Sequence, residues 1–211
     1  MAPLLLLLMK WLLALTAGSS SAPATAPSYT LSVDALTSVA GKDFRIAITR
    51  TPRFIRLRFA RRDSIRLQQC RRDFPAVFQL GPPLADPLAE QQRLQLLGQV
   101  LERYSVFTRD SLLLPVRKHR PFVELLDSVY GASDVLLAQA EANRIRVGLD
   151  GTRVTLTRTA APGATAARLL SVWQPAARTH PLLYRFLHES LALYRRERPA
   201  TFLTHDVTSG Y

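Results

Sequence analysis

The chain has 211 residues, 47% of them hydrophobic, and its 28 Lys and Arg outnumber 16 Asp and Glu to give a net charge of +12. This length suits one domain that buries about 70% of its unfolded surface. A single cysteine, Cys70, excludes a fold held by disulfide pairs, so we expect a buried small side chain or an unpaired thiol there. The positive charge favours polyanionic partners. Lys is scarce beside Arg, Ala and Leu, however, which a GC-rich genome also produces.

The N-terminal segment has the pattern of a secretion signal. A basic residue, an apolar stretch and a small-residue ending are typical of such peptides, and they occur in this order when synthesis starts at Met9. We predict a signal peptide over residues 1–24, a linker over 25–28, and export to the periplasm or the cell exterior. An uncleaved anchor is the alternative, but the apolar run is interrupted by Lys10 and is shorter than the roughly 20 residues that a bilayer requires.

Residues 29–198 form the predicted domain, and residues 29–80 are its strand-rich part. Apolar and polar residues alternate over 29–33 and again over 44–49, which is the period of a half-buried strand. Both segments therefore predict strands with one face in the core.

A ten-residue repeat follows, because residues 55–64 and 65–74 are identical at six of ten positions. We expect the two copies to pair as a hairpin with apolar residues inward, which places Arg58 opposite Arg66. Like charges across a ladder are unfavourable by up to about 1 kcal/mol, so solvent and salt or a bound anion should offset the repulsion. We therefore predict that Arg56, Arg58 and Arg66 form one exposed patch that binds polyanions, with an ordinary solvated strand face as the alternative.

Residues 86–142 are predicted to be mainly helical. A first helix begins after Asp86, a second ends at Gly131, and Ser133 caps a short third helix. Residues 106–116 contain a proline and predict an extended edge segment instead. The apolar residues of the first helix recur at helical spacing and predict a core face of Leu94, Leu97, Leu101 and Tyr104.

Residues 144–159 are predicted to form a β-hairpin. Asp150 and Gly151 favour a two-residue turn with positive backbone φ, and this register places Val147 opposite Val154. The turn chemistry and the apolar pattern agree on this register.

The last part of the domain, residues 165–198, is predicted to be helical. It comprises a short helix that Pro175 ends and a long helix from Pro181 to about Arg198. Basic residues in a final helical turn complement the helix dipole and need no ligand. Residues 199–211 are predicted to be a polar, loosely held tail.

No catalytic or metal-binding motif is complete. His188 begins the helical zinc-protease pattern, but Ala192 occupies the position of the required second histidine. The spacing of His180, His188 and His205 matches no zinc template. We therefore expect neither a metal nor a cofactor.

The predicted fold class is α+β: a single domain with an antiparallel, meander-type sheet covered on one face by helices. We expect an exported, non-enzymatic binding or cell-envelope-associated protein, with no transmembrane helix after signal cleavage. Its Arg-rich strand face would contact an acidic polymer or an anionic lipid surface, and no specific nucleic acid. The alternatives are a small exported hydrolase with a His and carboxylate site, and a scaffold component of an envelope complex. The side chains that line the deepest pocket distinguish the three.

Overall fold

The computed structural model describes residues 28–37, 42–78, 87–139, 151–160, 167–208 and 211. These residues form a single α+β domain with one open antiparallel sheet, as the sequence predicts. The predicted signal peptide and its cleavage point lie outside the described residues.

The sheet contains six strands, and every neighbouring pair is antiparallel. Their order across the sheet is β4-β3-β2-β1-β5-β6, so the first four strands form a meander. The strands are β1 Tyr29–Thr37, β2 Phe44–Arg50, β3 Phe54–Ile65, β4 Ser105–Pro115, β5 Thr152–Ala160 and β6 Ala167–Trp173.

In the described parts of the chain, five α-helices accompany the sheet, and short 3-10 turns span Pro75–Phe78 and Val116–Lys118. Within the described residues, no helix is both long and apolar enough to cross a membrane. The core face predicted for the helix that follows Asp86 is wrong in part, because Leu94 is exposed and Val100 is buried. The helices are α1 Leu67–Asp73, α2 Pro87–Arg103, α3 Arg120–Gly131, α4 Asp134–Ala138 and α5 Pro181–Glu197.

The core lies between one face of the sheet and helices α3, α4 and α5. Strict alternation buries every second residue along most of β1 and all of β2, as their patterns predict. Tyr29 of β1 stacks on Tyr130 of α3, and Phe59 of β3 stacks on Tyr194 of α5, each with ring centroids 4.1 Å apart. These aromatic pairs join the helix layer to the sheet.

Several local predictions are confirmed. Residues 105–115 form β4, an edge strand that ends at its proline. Helix α3 ends at Gly131, and the Ser133 side chain caps α4 by accepting a 3.2 Å hydrogen bond from the Leu136 amide. The long helix α5 buries its predicted apolar stripe of Leu183, Leu187, Leu191 and Tyr194.

The predicted hairpin between the two repeat copies is wrong. The first copy lies in β3, which continues to Ile65, whereas most of the second copy forms α1. Arg58 therefore lies opposite Ala47 of β2 and Ser111 of β4, not opposite Arg66. The second copy lacks the apolar alternation of the first after Leu67, and its glutamines tolerate a helix well.

The predicted hairpin over 144–159 is also wrong in its pairing. Its first strand and the Asp150 half of its turn lie outside the described residues. Its second strand is β5, but Val154 pairs with Ala35 of β1 on one side and Val172 of β6 on the other. Strands β1 and β6 thus occupy both edges of β5 at Val154, and Val147 lies outside the described residues.

One segment predicted as helical forms a strand. Strand β6 occupies residues 167–173 within the predicted helical part 165–198. In β6, Leu170 and Val172 are buried while Leu169 is exposed, which is a period of two. The segment is too short for its apolar pattern to separate helix from strand.

The predicted loose tail is wrong as well. Leu203, Thr208 and Tyr211 are buried, and the Tyr211 hydroxyl donates a 2.9 Å hydrogen bond to the Pro175 carbonyl. The Arg195 Nε of α5 donates to the Leu203 carbonyl at 2.9 Å. The C-terminal residues therefore form part of the packed domain.

Candidate polyanion-binding face

The helices of the core, α3, α4 and α5, pack on one side of the sheet, and among the described residues the end of α2 reaches the opposite side, where Glu102 pairs with Arg45. Successive side chains of a strand point to opposite faces, so the residues that alternate with the core residues along each strand form this second surface. We call it the open face, and its members on the five strands β1 to β5 include Thr30, Ser32, Ala47, Thr49, Phe54, Arg56, Arg58, Ala60, Arg109, Ser111, Leu113, Thr157 and Thr159.

Small side chains form the centre of the open face. Threonine, serine and alanine occupy its middle positions on β1, β2 and β5, whereas Asp34, Arg45 and Arg153 lie on the same face towards one end, and Thr30 Oγ1 lies 3.3 Å from Thr49 Oγ1. Longer side chains stand beside this floor on β3 and β4, where Phe54 is 45% exposed and Leu113 is 56% exposed. The open face is therefore lower at its centre than along β3 and β4.

Two predicted site residues lie on this surface. Arg56 is opposite Thr49 and Leu113, while Arg58 is opposite small residues on both sides, and both side chains are exposed. Among the described residues, neither arginine has a carboxylate within ion-pairing distance. Their charges therefore remain available to a ligand.

Other arginines near this face are already paired. Arg45 Nε lies 2.6 Å from Asp34 Oδ1, and its Nη2 donates to Glu102 at 2.6 Å. Arg62 Nη2 lies 2.5 Å from Asp43 Oδ2. The hydrogen bond from Arg45, followed by the charges of Arg45, Arg62 and Arg109, lowers the pKa of Glu102 despite its partial burial. Acidic partners thus balance the arginines at this end of the surface, whereas Arg56 and Arg58 have no such partner among the described residues.

Three adjoining cavities connect the unpaired arginines. The first, about 610 Å³, is lined by Arg56 and Arg58 with Phe54 and Leu113. The second, about 600 Å³, contains Arg58 and Arg109, and the third, about 520 Å³, contains Arg109 again. Because neighbouring cavities share a residue, the cations form one series, which we call the arginine track: Arg56, Arg58, Arg109, Arg66 and Arg103.

Arg66 reaches this track by a route that the sequence does not predict. It lies between β3 and α1 and lines the third cavity, so it is connected to Arg58 through Arg109. Arg103 and Arg109 were missed because nothing in the sequence shows that β4 pairs with β3. The alternation along residues 106–116 was the one signal that could have placed Arg109 on the outward face.

Phe107 supports the middle of the track. Its ring lies 4.6 Å from the Arg45 guanidinium carbon and 5.2 Å from that of Arg109, both measured to the ring centroid. Such contacts hold a cation over an aromatic ring. Arg109 is therefore positioned without a carboxylate at ion-pairing distance among the described residues.

The histidines considered for a hydrolytic site have separate environments, and His188 Nδ1 lies 3.7 Å from Glu189 Oε1. His180 is buried, with Nδ1 2.9 Å from Thr179 Oγ1 and Nε2 2.9 Å from the Ala138 carbonyl oxygen. Within the described part of the chain, no group of three or more His, Cys, Asp or Glu side chains is placed to hold a metal. Cys70 is buried, and burial raises the pKa of its thiol, which disfavours the reactive thiolate.

Comparisons with protein-family models, curated proteins and solved structures found no match. A functional proposal for this chain therefore rests on the geometry and charge of its own residues.

Proposed function

We propose that this chain is an exported, non-enzymatic binding protein that binds an acidic polymer along the arginine track. The observation that carries the proposal is the sharing of Arg58 and Arg109 between adjoining cavities. Among the described residues, it makes a series of cations without a carboxylate at ion-pairing distance, which runs from the open face to the cavity beside α1 and α2. Arginine suits this role because its planar donors match sulfate, phosphate and carboxylate oxygens.

The arrangement favours a chain-like partner. A second copy of this protein would bring Arg56 and Arg58 against the same residues, which repel one another. A flat lipid surface meets the most protruding side chains first, whereas a flexible polymer can follow consecutive cavities. The exposed apolar side chains of Phe54 and Leu113 border the first cavity and can contact the uncharged part of such a polymer.

Heparin titration tests the proposal. Wild type is compared with the triple variant Arg56→Gln, Arg58→Gln and Arg66→Gln at low and physiological salt. The matched control removes three exposed arginines of the helix layer and its flanking turns: Arg117→Gln, Arg120→Gln and Arg178→Gln. Counterion release drives such binding, so we expect affinity to fall steeply with salt and the salt dependence to become shallower when track residues are removed.

We expect the track variant to bind roughly tenfold or more weakly, since three phosphate-type contacts are lost, and the control to change about twofold or less. Equal weakening of both variants would show that affinity comes from the diffuse net charge and would overturn the proposal. Strong binding to anionic lipid vesicles without binding to heparin would identify a lipid surface as the partner instead.

The export proposal rests on the basic, apolar and small-residue pattern that ends at Ala24. N-terminal sequencing of the protein recovered outside the cytoplasm is expected to begin at Thr25. Retention of Met1 or Met9 in that material would contradict cleavage.

A further inference from the structure

The third cavity of the track differs from the other two because helices α1 and α2 line it together with strand β4. It has a volume of about 520 Å³ and lies between α1, the end of α2 and the start of β4. Arg66 precedes α1, Arg103 ends α2, and Arg109 lies in β4, so arginines from three parts of the fold line this cavity.

The other polar side chains of this cavity are mostly engaged with each other. Tyr104 donates a 2.5 Å hydrogen bond to Asp73 Oδ2, and this bond raises the pKa of Tyr104, which keeps the hydroxyl protonated. Ser105 donates to the Leu101 carbonyl at 2.8 Å. The described residues that line the cavity thus include one carboxylate and three arginines, and the guanidinium groups and the Gln69 amide are donors available there.

Contacts around the cavity fix the positions of its walls. The Arg66 amide donates to the Tyr104 carbonyl at 3.0 Å, which joins the start of α1 to the start of β4. The Phe74 ring meets Tyr104 edge to face at 6.1 Å between centroids. Because Arg109 also lies over Phe107, the cavity walls and one of the three arginine side chains are positioned before any ligand binds.

The number of donors selects the chemistry of the ligand. A carboxylate has two acceptor oxygens, and one or two guanidinium groups satisfy them. A sulfate or phosphate ester has three such oxygens, so it can accept from three surrounding guanidinium groups. A cavity of this volume also accommodates the sugar or linker that carries the group, since ligand pockets span about 300–1,000 Å³.

We propose that Arg66, Arg103 and Arg109 bind one tetrahedral oxyanion, a sulfate or phosphate ester of the polymer. This inference rests on the proposed polymer binding, and it narrows the partner to a sulfated or phosphorylated chain. A polymer charged by carboxylates alone would bind the track without filling this site.

The experiment compares dextran sulfate, polyphosphate and polyglutamate of similar length and charge at physiological salt. The test variant is Arg66→Gln with Arg103→Gln, and the control is Arg71→Gln with Arg72→Gln, which removes two exposed charges of α1 outside the cavity. Pyrophosphate serves as a small probe because its binding requires only the third cavity and not the rest of the arginine track. A melting curve of each variant verifies that it is folded.

We expect wild type and the control to bind the sulfated or the phosphorylated polymer at least tenfold tighter than polyglutamate, and the test variant to lose that preference. The comparison of dextran sulfate with polyphosphate then identifies the ester. We also expect pyrophosphate binding that the test variant loses and the control retains.

The outcomes separate the two proposals. Equal binding of all three polymers by wild type, or a preference that the test variant keeps, would overturn the oxyanion site while polymer binding stands. Pyrophosphate binding that depends on Arg66 and Arg103, with no polymer bound, would support the site and overturn the proposed function.

Discussion

One buried charged side chain joins the helix layer to the sheet. Arg158 lies on the buried face of β5, and its Nη1 donates to the Val129 and Tyr130 carbonyls at 3.4 and 3.3 Å. It also bonds the Ala132 carbonyl and pairs with Asp134, so one side chain connects β5, the end of α3 and the start of α4. Burial lowers the pKa of Arg158, yet an arginine remains charged at any physiological pH. The alternation of side chains along β5 predicts that Arg158 points inward, but it does not predict its hydrogen-bond partners.

Gly151 is a position where the packing requires glycine. Its φ is +157°, and a Cβ there would lie 2.8 Å from Trp173 Cζ2. We expect Gly151→Ala to reduce the free energy of unfolding by about 1–3 kcal/mol because the indole ring must shift. The control is Gly98→Ala in α2, where no atom lies within 4 Å and alanine should add about 0.5–1 kcal/mol. Urea unfolding that shows both changes to be equally mild would contradict the packing at Gly151.

At the scale of elements, the C-terminal residues complete the core next to α5. Leu203 is 0% exposed, whereas Leu169 on the edge strand β6 is 66% exposed. We expect Leu203→Ala to lower the free energy of unfolding by about 2–4 kcal/mol and Leu169→Ala by less than about 1 kcal/mol. Thermal and urea unfolding measure both. Similar small effects at the two positions would restore the prediction of a loose tail.

We expect the contact between β4 and the end of α5 to weaken at low pH because of Asp110. Burial alone would raise the pKa of Asp110, but hydrogen bonds from the Ser111 backbone, Tyr194 and Arg198 outweigh it and lower the pKa. The ionised form is therefore favoured in the folded state. Its contribution is present above the usual aspartate pKa of about 3.9 and is lost as the pH falls through the lower folded value.

We expect Asp110→Asn to be less stable than wild type by about 1 kcal/mol at pH 7 and equally stable at pH 2 to 3. The control is Asp206→Asn, an exposed carboxylate paired with Lys42, which should change stability by less than about 0.5 kcal/mol at either pH. Urea unfolding across this range gives the comparison. A difference for Asp110→Asn that persists at low pH would show that ionisation is not its cause.

Local periodicity accounts for the elements that were predicted well. Strands β1 and β2 alternate strictly, and α3 and α5 carry continuous apolar stripes, so each pattern identifies one type of structure. The errors concern pairing between distant segments. The turn at Gly151 favoured a local partner for β5, but β1 and β6 occupy its two edges. Sequence patterns of single segments contain no direct signal for such contacts.

At the scale of the whole molecule, the fold separates balanced from unbalanced charge. Acidic residues pair with Arg45 and Arg62 at one end of the open face, while Arg56 and Arg58 are left without a carboxylate at ion-pairing distance in the described structure. The sequence predicted Arg56 and Arg58 on an exposed face because strand alternation is local. It could not predict the adjoining cavities, since these depend on β3 pairing with β4 and on α1 packing beside them.

The most direct measurement maps the bound polymer onto the arginines. The protein is treated with phenylglyoxal, which modifies exposed arginines, with and without heparin, and mass spectrometry of peptides measures modification at each site. We predict that heparin protects Arg56, Arg58 and Arg109 severalfold and leaves the rates at Arg117, Arg120 and Arg178 within about twofold, because the polymer neutralises the arginines that it contacts. Uniform protection of all six arginines, or protection confined to the second group, would contradict binding along the arginine track.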